Sequence, residues 1–236
     1  MINRLQLARR IDHTVLKPEA GESDIRSLVA FALKYRFAAV CVNSRWLRLV
    51  RTMLDEDPLN RAAGADTQVA ACATVGFPFG AQESSVKVFE AVRCVKAGAD
   101  EIDMVIWIPS LLSGDMDAAR SDVREVAAAV KAVAPGTIVK VILETAILKE
   151  AQVALGCRAA LEGGADFVKT STGFHPAGGA TVQAVQWLKQ YCGNLRVKAA
   201  GGIRDLATAR MMLEAGADRI GCSAGVAIMH ELSGSL

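Results

Sequence analysis

The sequence predicts an α/β fold, a single-domain (β/α)8 (TIM) barrel over residues 1–236, and three observations predict it. Eight short apolar runs alternate with longer segments of 3.6-residue apolar spacing from one end of the chain to the other. A Gly-Ala-Asp phrase recurs three times, each time directly before an apolar run. The length of 236 residues suits one such barrel, typically about 250 residues, and no linker or composition shift divides it.

Taken in order, the candidate strands are residues 11–16, 39–42, 68–74, 101–106, 138–143, 166–170, 196–200 and 219–222. Between them, helical spacing runs over residues 23–35, 82–97, 117–133 and 150–162. Ser23 and Thr181 are the expected N-caps of the helices that follow them. The recurring phrase is Ala97-Gly98-Ala99-Asp100, Gly163-Gly164-Ala165-Asp166 and Ala215-Gly216-Ala217-Asp218. Its glycine suits a left-handed helix C-cap, and its Asp turns the chain into the next strand.

Composition narrows the function classes. Hydrophobic residues make up 52% of the chain and charged residues 22%, which excludes disorder and supplies a large core. A formal charge of +2 gives no footprint for nucleic acid or a membrane surface. Six scattered cysteines, none in a C-x-x-C pair, read as small buried thiols in a reducing compartment. Met1-Ile2-Asn3-Arg4-Leu5 does not begin a signal peptide, and no apolar run approaches a membrane span. A cytoplasmic protein is the expectation.

Two lysines stand out because they sit inside apolar strand patterns. Lys169 lies in Asp166-Phe167-Val168-Lys169-Thr170-Ser171-Thr172-Gly173, and Lys198 in Arg196-Val197-Lys198-Ala199-Ala200-Gly201-Gly202. Burial disfavours an ammonium, and a second ammonium nearby disfavours it further. A free amine in a pocket captures carbonyls as an imine. In a barrel, chemistry sits at the C-terminal ends of strands, where both lysines fall. Asp103, in the fourth strand, shares a face with Val105 by alternation, so it too points inward. Each residue has a structural rival: a salt-bridged barrel lysine for Lys169, and a mutual ion pair for Lys198 and Asp103. If Lys198 is functional, it tunes Lys169 by charge and helps move protons.

A separate signal comes from glycines. Gly201-Gly202-Ile203-Arg204-Asp205 follows the seventh strand and Gly221-Cys222-Ser223-Ala224-Gly225 belongs to the eighth and its loop. Loops there, with a helix N-terminus, are where barrels hold phosphate through backbone N–H groups. His13, His175 and His230 show no metal spacing, and His175 reads as a loop residue. No dinucleotide or P-loop glycine motif occurs. The expectation is Schiff-base chemistry with no external cofactor and no metal.

On these residues the chain resembles the deoxyribose-phosphate aldolases, class I aldolases with a (β/α)8 barrel. Nearly the whole length takes part: Ile11-Asp12-His13-Thr14, Ala39-Val40-Cys41-Val42-Asn43, Val75-Gly76-Phe77-Pro78-Phe79-Gly80, Glu101-Ile102-Asp103-Met104-Val105-Ile106, Lys140-Val141-Ile142-Leu143-Glu144-Thr145, and the specific string Phe167-Val168-Lys169-Thr170-Ser171-Thr172-Gly173-Phe174. Lys198-Ala199-Ala200-Gly201-Gly202-Ile203-Arg204 completes it. The resemblance implies reversible cleavage of 2-deoxy-D-ribose 5-phosphate to acetaldehyde and D-glyceraldehyde 3-phosphate. It implies Lys169 as the imine-forming lysine, Lys198 as the lysine that tunes it, and Asp103 as an acid/base acting through water. Gly173, Gly201, Gly202, Gly221 and Ser223 would hold the phosphate, with Thr14, Cys41 and Thr170 also binding substrate. Homodimers are frequent in the family.

Some positions depart from the family pattern. Trp107-Ile108-Pro109 stands where many members have Asn-Ile-Gly, and alternation sends the indole into the upper barrel. Pro109-Ser110-Leu111-Leu112 reads as an unusually apolar loop, and His175-Pro176 replaces a Ser/Thr start. Ser235-Leu236 ends the chain without the terminal tyrosine of some members. Two alternatives therefore stay open: a lysine aldolase with another aldehyde acceptor, and a non-catalytic phosphate-binding barrel.

Overall fold

Eight parallel strands close on themselves in the order β1 to β8, each paired with its sequence neighbour and β8 with β1. The structure, a computed structural model, describes residues 2–64 and 67–234. The strands are β1 (Ile11–Val15), β2 (Ala39–Asn43), β3 (Ala70–Val75), β4 (Glu101–Val105), β5 (Ile138–Ile142), β6 (Phe167–Lys169), β7 (Arg196–Ala200) and β8 (Arg219–Cys222). Every expected strand is present, displaced at its ends by no more than two residues.

Helices cover the outside. They are α1 (Arg4–Ala8), α2 (Glu22–Tyr35), α3 (Leu47–Glu56), α4 (Pro58–Arg61), α5 (Ser84–Lys96), α6 (Ile108–Ser113), α7 (Met116–Val133), α8 (Glu150–Glu162), α9 (Val182–Tyr191), α10 (Leu206–Glu214) and α11 (Gly225–Gly234). Thr181 caps α9 as expected, its hydroxyl accepting from the Ala184 N–H at 3.0 Å. Ser23 is not a cap. Helix α2 begins a residue earlier, with Gly21 at the N-cap and the Asp24 carboxylate accepting the Gly21 N–H at 2.9 Å. Asp24, three residues into the helix, satisfies that donor from inside.

The recurring phrase has a structural role beyond turning the chain. Gly98, Gly164 and Gly216 all have positive φ, at 97°, 84° and 113°. Each following Asp then reaches back to the strand before it. Asp100 accepts the Ala71 N–H at 2.7 Å, Asp166 the Val139 N–H at 2.8 Å, and Asp218 the Val197 N–H at 2.9 Å. The phrase thus ties β4 to β3, β6 to β5 and β8 to β7 at the N-terminal rim.

Alternation along each strand divides the molecule into two packing regions. Outward residues such as Val40, Val139, Val141, Val168, Val197 and Ile220 are fully buried under the helices in one continuous apolar cluster. Inside the barrel the apolar part is small, with Ala39, Cys41 and Cys72 forming a separate cluster. Val105, Ile142 and Phe167 are also buried on the inward face, and charged side chains stand among them.

Trp107 does not enter that interior. Strand β4 ends at Val105 and α6 begins at Ile108 with Pro109 in its first turn, so the pleat stops before alternation reaches the indole. The Trp107 N–H donates to Asp122 at 2.8 Å, and its side chain is 41% exposed. The apolar stretch after it is α6 rather than a loop, with Leu111 buried. Met1, Ser235 and Leu236 lie outside the described residues, so the features read at those ends do too. Among the described residues, no helix is long and apolar enough to cross a membrane.

Candidate active site

Strands β4, β6 and β7 deliver Asp103, Lys169 and Lys198 to one point inside the barrel. Lys169 and Lys198 are in-register partners across β6 and β7. Both donate to the same oxygen, Oδ2 of Asp103, each at 2.7 Å. All three side chains are buried, with Lys169 3% exposed and the other two fully enclosed. The sequence placed these residues together, and the structure brings them together.

Four further charged residues of the barrel interior were not singled out by sequence. Lys140 of β5 lies opposite Asp103 in register and donates to its other oxygen, Oδ1, at 2.8 Å. It also pairs with Glu101 at 2.5 Å. Asp12 of β1 meets Lys198 at 2.5 Å and Lys140 at 3.8 Å. Arg219 of β8 closes the lower end, binding Asp12 and lying 3.3 Å from Glu101. Lys140 sits in an apolar run by the same logic that singled out Lys169, so its signal was available. Glu101 and Arg219 open their strands, where a charge looks like a solvated end.

These partners fix the charge states. Burial works against the Lys198 ammonium, but the carboxylates of Asp103 and Asp12 outweigh it and hold the group above the ordinary lysine range. Burial likewise opposes charge on Lys140, yet Asp103, Glu101 and Asp12 hold it well above that range. A charged Lys198 is what tuning Lys169 by charge requires, and of the two carboxylates that hold it Asp12 was missing from the sequence reading. Burial alone would raise Asp103, but Lys140, Lys169 and Lys198 hold it well below the usual carboxylate range. Asp12 behaves in the same way, with Arg219, Lys198 and Lys140 overcoming its burial.

Above the charged floor opens a cavity of about 390 Å³. Its walls include Lys169, Thr14, Gly173, Gly201, Gly202, Gly221 and Ser223, together with Lys17, Thr172, Phe174 and Arg204. The glycine loops therefore surround the space into which the lysine opens. Gly173 and Gly201 need their lack of a side chain: both have positive φ, and a Cβ on Gly201 would stand 3.3 Å from the Gly173 Cα. Lys17 and Arg204 add exposed cationic side chains to the rim, which the sequence reading did not mark.

Two expected contact residues lie below this surface. Cys41 is fully buried with its Sγ 4.0 Å from Asp103 Oδ2, and it belongs to the small interior cluster. Thr170 is also fully buried; its hydroxyl donates to the Ala200 carbonyl and accepts the Ala200 N–H, both at 3.0 Å. Neither is among the residues lining the cavity. Thr170 joins β6 to β7 because alternation turns it away from the face that carries Lys169. His175 is a loop residue, as read, its Nδ1 accepting the Ala177 N–H at 3.1 Å.

One group of metal-type donors occurs among the described residues: Cys41, Cys72 and Asp103 lie within 4.8 Å of one another. Their surroundings do not suit a dication. Both Asp103 oxygens already face ammonium groups, Lys140 on Oδ1 and Lys198 on Oδ2, and Lys140 Nζ is 3.5 Å from Cys72 Sγ. Burial pushes the Cys72 thiol well up, toward its neutral form. All six cysteines are free and buried.

Comparison with known proteins identifies the family. A "Deoxyribose-phosphate aldolase" of Thermoanaerobacter sp. is 47% identical over 228 residues, 96% of this chain and 97% of that protein. One from Enterococcus faecalis is 43% identical over 231 residues, covering 98% and 99%. The solved deoxyribose phosphate aldolase of Aeropyrum pernix, described as a tetramer, superposes with a TM-score of 0.87 at 31% identity, covering 99% of this chain and 94% of that one. The family model of the DeoC/LacD family aldolases matches residues 7–231, a stretch holding all eight strands and the three-residue lysine–aspartate centre, and the chain belongs to that family.

Proposed function

We propose that the chain catalyses the reversible aldol cleavage of 2-deoxy-D-ribose 5-phosphate to acetaldehyde and D-glyceraldehyde 3-phosphate, through a Schiff base on Lys169 and with no external cofactor. One observation carries the reading: Lys169 Nζ stands at the floor of a glycine-walled cavity, sharing a single Asp103 oxygen with Lys198. Charge balance supports Lys169 as the nucleophile. The interior network holds the acids Asp12, Glu101 and Asp103 against the bases Lys140, Lys169, Lys198 and Arg219. Lys169 apart, three cations face three carboxylates. Lys198 and Lys140 each pair with more than one carboxylate, whereas among the described residues Lys169 pairs with Asp103 alone, through an oxygen Lys198 also holds.

The Lys169 amine adds to the C1 aldehyde of the open-chain sugar, and loss of water leaves the iminium. The C3 hydroxyl then gives up its proton, the C2–C3 bond breaks, and its electrons enter the enamine on Lys169. Glyceraldehyde 3-phosphate departs; protonation at C2 and hydrolysis release acetaldehyde. Proton transfers pass through the Asp103–Lys198 pair by way of water, with Lys198 as the charged donor. Gly173, Gly201, Gly202, Gly221 and Ser223 hold the phosphate, aided by Thr14 at the cavity wall.

Residues 1–236 act as one catalytic domain in this reading, supported by a barrel that spans Ile11 to Cys222. The free cysteines support the reducing cytoplasm as its place. A homodimer is supported by Phe79, Val86 and Phe89, exposed by 73%, 51% and 69%, which offer apolar surface for a second copy to cover. Light scattering at working concentration reads the assembly directly.

Borohydride reduction in the presence of acetaldehyde tests the chemistry. An ethyl group should appear on the peptide holding Lys169. Labelling at full yield in Lys169→Ala would overturn the assignment.

A further inference from the structure

We propose that Glu144 is a positioning residue for this reaction, a buried carboxylate that sets the turn Thr172-Gly173-Phe174 against the phosphate end of the cavity. Glu144 follows β5 and has φ 59° and ψ 58°, a left-handed backbone uncommon for a residue with a side chain. Its neighbours hold it there. The Leu143 N–H donates to the Lys169 carbonyl at 3.0 Å and the Thr145 N–H to the Thr170 carbonyl at 2.9 Å, so pairing to the β6 side continues across the residue.

The consequence is where the carboxylate goes. It is 1% exposed, and both its oxygens face Thr172. The Thr172 hydroxyl donates to Oε2 at 2.5 Å, and the Thr172 N–H lies 3.3 Å from each oxygen. Thr172 Oγ1 in turn accepts the Phe174 N–H at 3.1 Å. One anion therefore fixes both ends of the turn that contains Gly173. That turn packs back to back with the next glycine loop, since a Cβ on Gly173 would stand 3.4 Å from the Gly201 Cα. Thr172, Gly173, Phe174 and Gly201 all line the cavity beside Lys169.

A carboxylate suits the task because it accepts an O–H and an N–H together, and charge-assisted bonds are shorter and stronger than neutral ones. With its oxygens spent on Thr172, Glu144 acts through the turn and touches no reacting atom. The inference rests on the phosphate reading above and deepens it: Glu144 governs how well the phosphate, rather than the imine, is held.

Glu144→Gly separates the side chain from the backbone, because glycine accepts the left-handed conformation without strain. Thr172→Val removes the hydroxyl from the other end, and Thr172→Ser restores it. The readout is the ratio of kcat/KM for 2-deoxyribose 5-phosphate to that for 2-deoxyribose. The expected result is a fall in this ratio of about tenfold or more in Glu144→Gly and in Thr172→Val, with recovery in Thr172→Ser and no further fall in the double variant. Borohydride trapping with acetaldehyde should stay near the wild-type level in all of them. An unchanged ratio in both single variants, or additive losses in the double variant, would overturn the proposal. Wild-type protein that neither traps acetaldehyde nor prefers the phosphorylated sugar would instead overturn the function on which it rests.

Discussion

The inner and outer faces of the same eight strands are built on opposite principles. Outside, Val139, Val141, Val168 and Val197 join one apolar cluster whose members contribute by leaving water and filling space. Inside, Lys140, Lys169 and Lys198 alternate with those same residues and are just as buried, yet each is held by carboxylates. Buried ion pairs often fail to repay their desolvation, so the interior is poor value as stabilisation. The difference teaches where the molecule spends stability for chemistry: the outer layer makes the barrel, and the inner network holds charges where a substrate can use them.

The largest effect should come from the adjacent pair Lys169 and Val168, one facing each way on β6. Lys169→Ala should lower kcat/KM by roughly 10⁴-fold or more, since it removes the covalent route. The fold should survive it, because Asp103 keeps its pairs with Lys140 and Lys198. Val168→Ala should keep its turnover number and lose about 2 kcal/mol of stability through the cavity it leaves. Urea unfolding and steady-state kinetics on both variants decide the matter. Comparable stability losses with comparable kinetic losses would erase the distinction between the two faces.

A second contrast lies in β5, between Lys140 and Val141. Lys140→Leu leaves Asp103 and Glu101 short of a cation, an uncompensated change worth about 3–5 kcal/mol at neutral pH. The sign of its pH dependence follows from the carboxylates. Asp103 and Asp12 are held below their usual range, so their contribution is present above about pH 4 and is lost as pH falls through their folded values. Removing Lys140 lets Asp103 rise toward the ordinary value, so the acid limb of the stability curve should become shallower. Urea midpoints from pH 5 down to pH 2 measure this. A slope equal to that of the wild type would mean that Lys140 does not hold Asp103 in its ionised form.

These pairs also explain what the sequence disclosed. The outer face was legible because helical and strand periods repeat around the barrel, and every strand lay where the apolar runs placed it. Lys169, Lys198 and Asp103 were legible because a charge inside such a run demands a partner. Lys140 carries the same signal, while Asp12, Glu101 and Arg219 are hidden near the strand starts. The carboxylate of Asp12, which with Asp103 holds the Lys198 ammonium, is therefore read only from the structure. Alternation misplaces Trp107 because it does not hold past the end of β4, where Trp107 caps a helix that starts at Ile108. Glu144 gave no signal at all, since a left-handed backbone at a glutamate follows from its neighbours' pairing and not from its own preference.

The outer layer has a titrating group of its own. His13 follows Asp12 on β1, faces outward, and packs its ring 5.1 Å from that of Phe37. Burial pushes it down to about 4, with a backbone hydrogen bond at Cys222 opposing the shift. Above about pH 6.5 it is neutral in both states and has no effect. Between there and pH 4 only the unfolded chain takes the proton, so stability falls as pH falls, by about 3 kcal/mol at most. His13→Phe should flatten this window and leave the more acidic one intact. If the slope between pH 6.5 and 4 persists in His13→Phe, the shell does not titrate there and the two windows are one.

The smallest effect is expected at Trp107, which the strand pattern assigned to the interior and the fold places outside it. Its indole is 41% exposed and is not part of the cavity wall, while the contact it makes with Asp122 is through the backbone N–H. Any residue with an N–H preserves that contact, and Asp122 keeps its bonds to Lys87 and Ser84 at 2.8 and 2.7 Å. Trp107→Asn should therefore change neither kcat/KM nor the preference among aldehyde acceptors by more than about twofold, with stability within about 0.5 kcal/mol. Acceptor competition assays on the two proteins give the answer. A shift of tenfold in acceptor preference would return the indole to the substrate's path, and with it the reading of the upper barrel that the end of β4 at Val105 argues against.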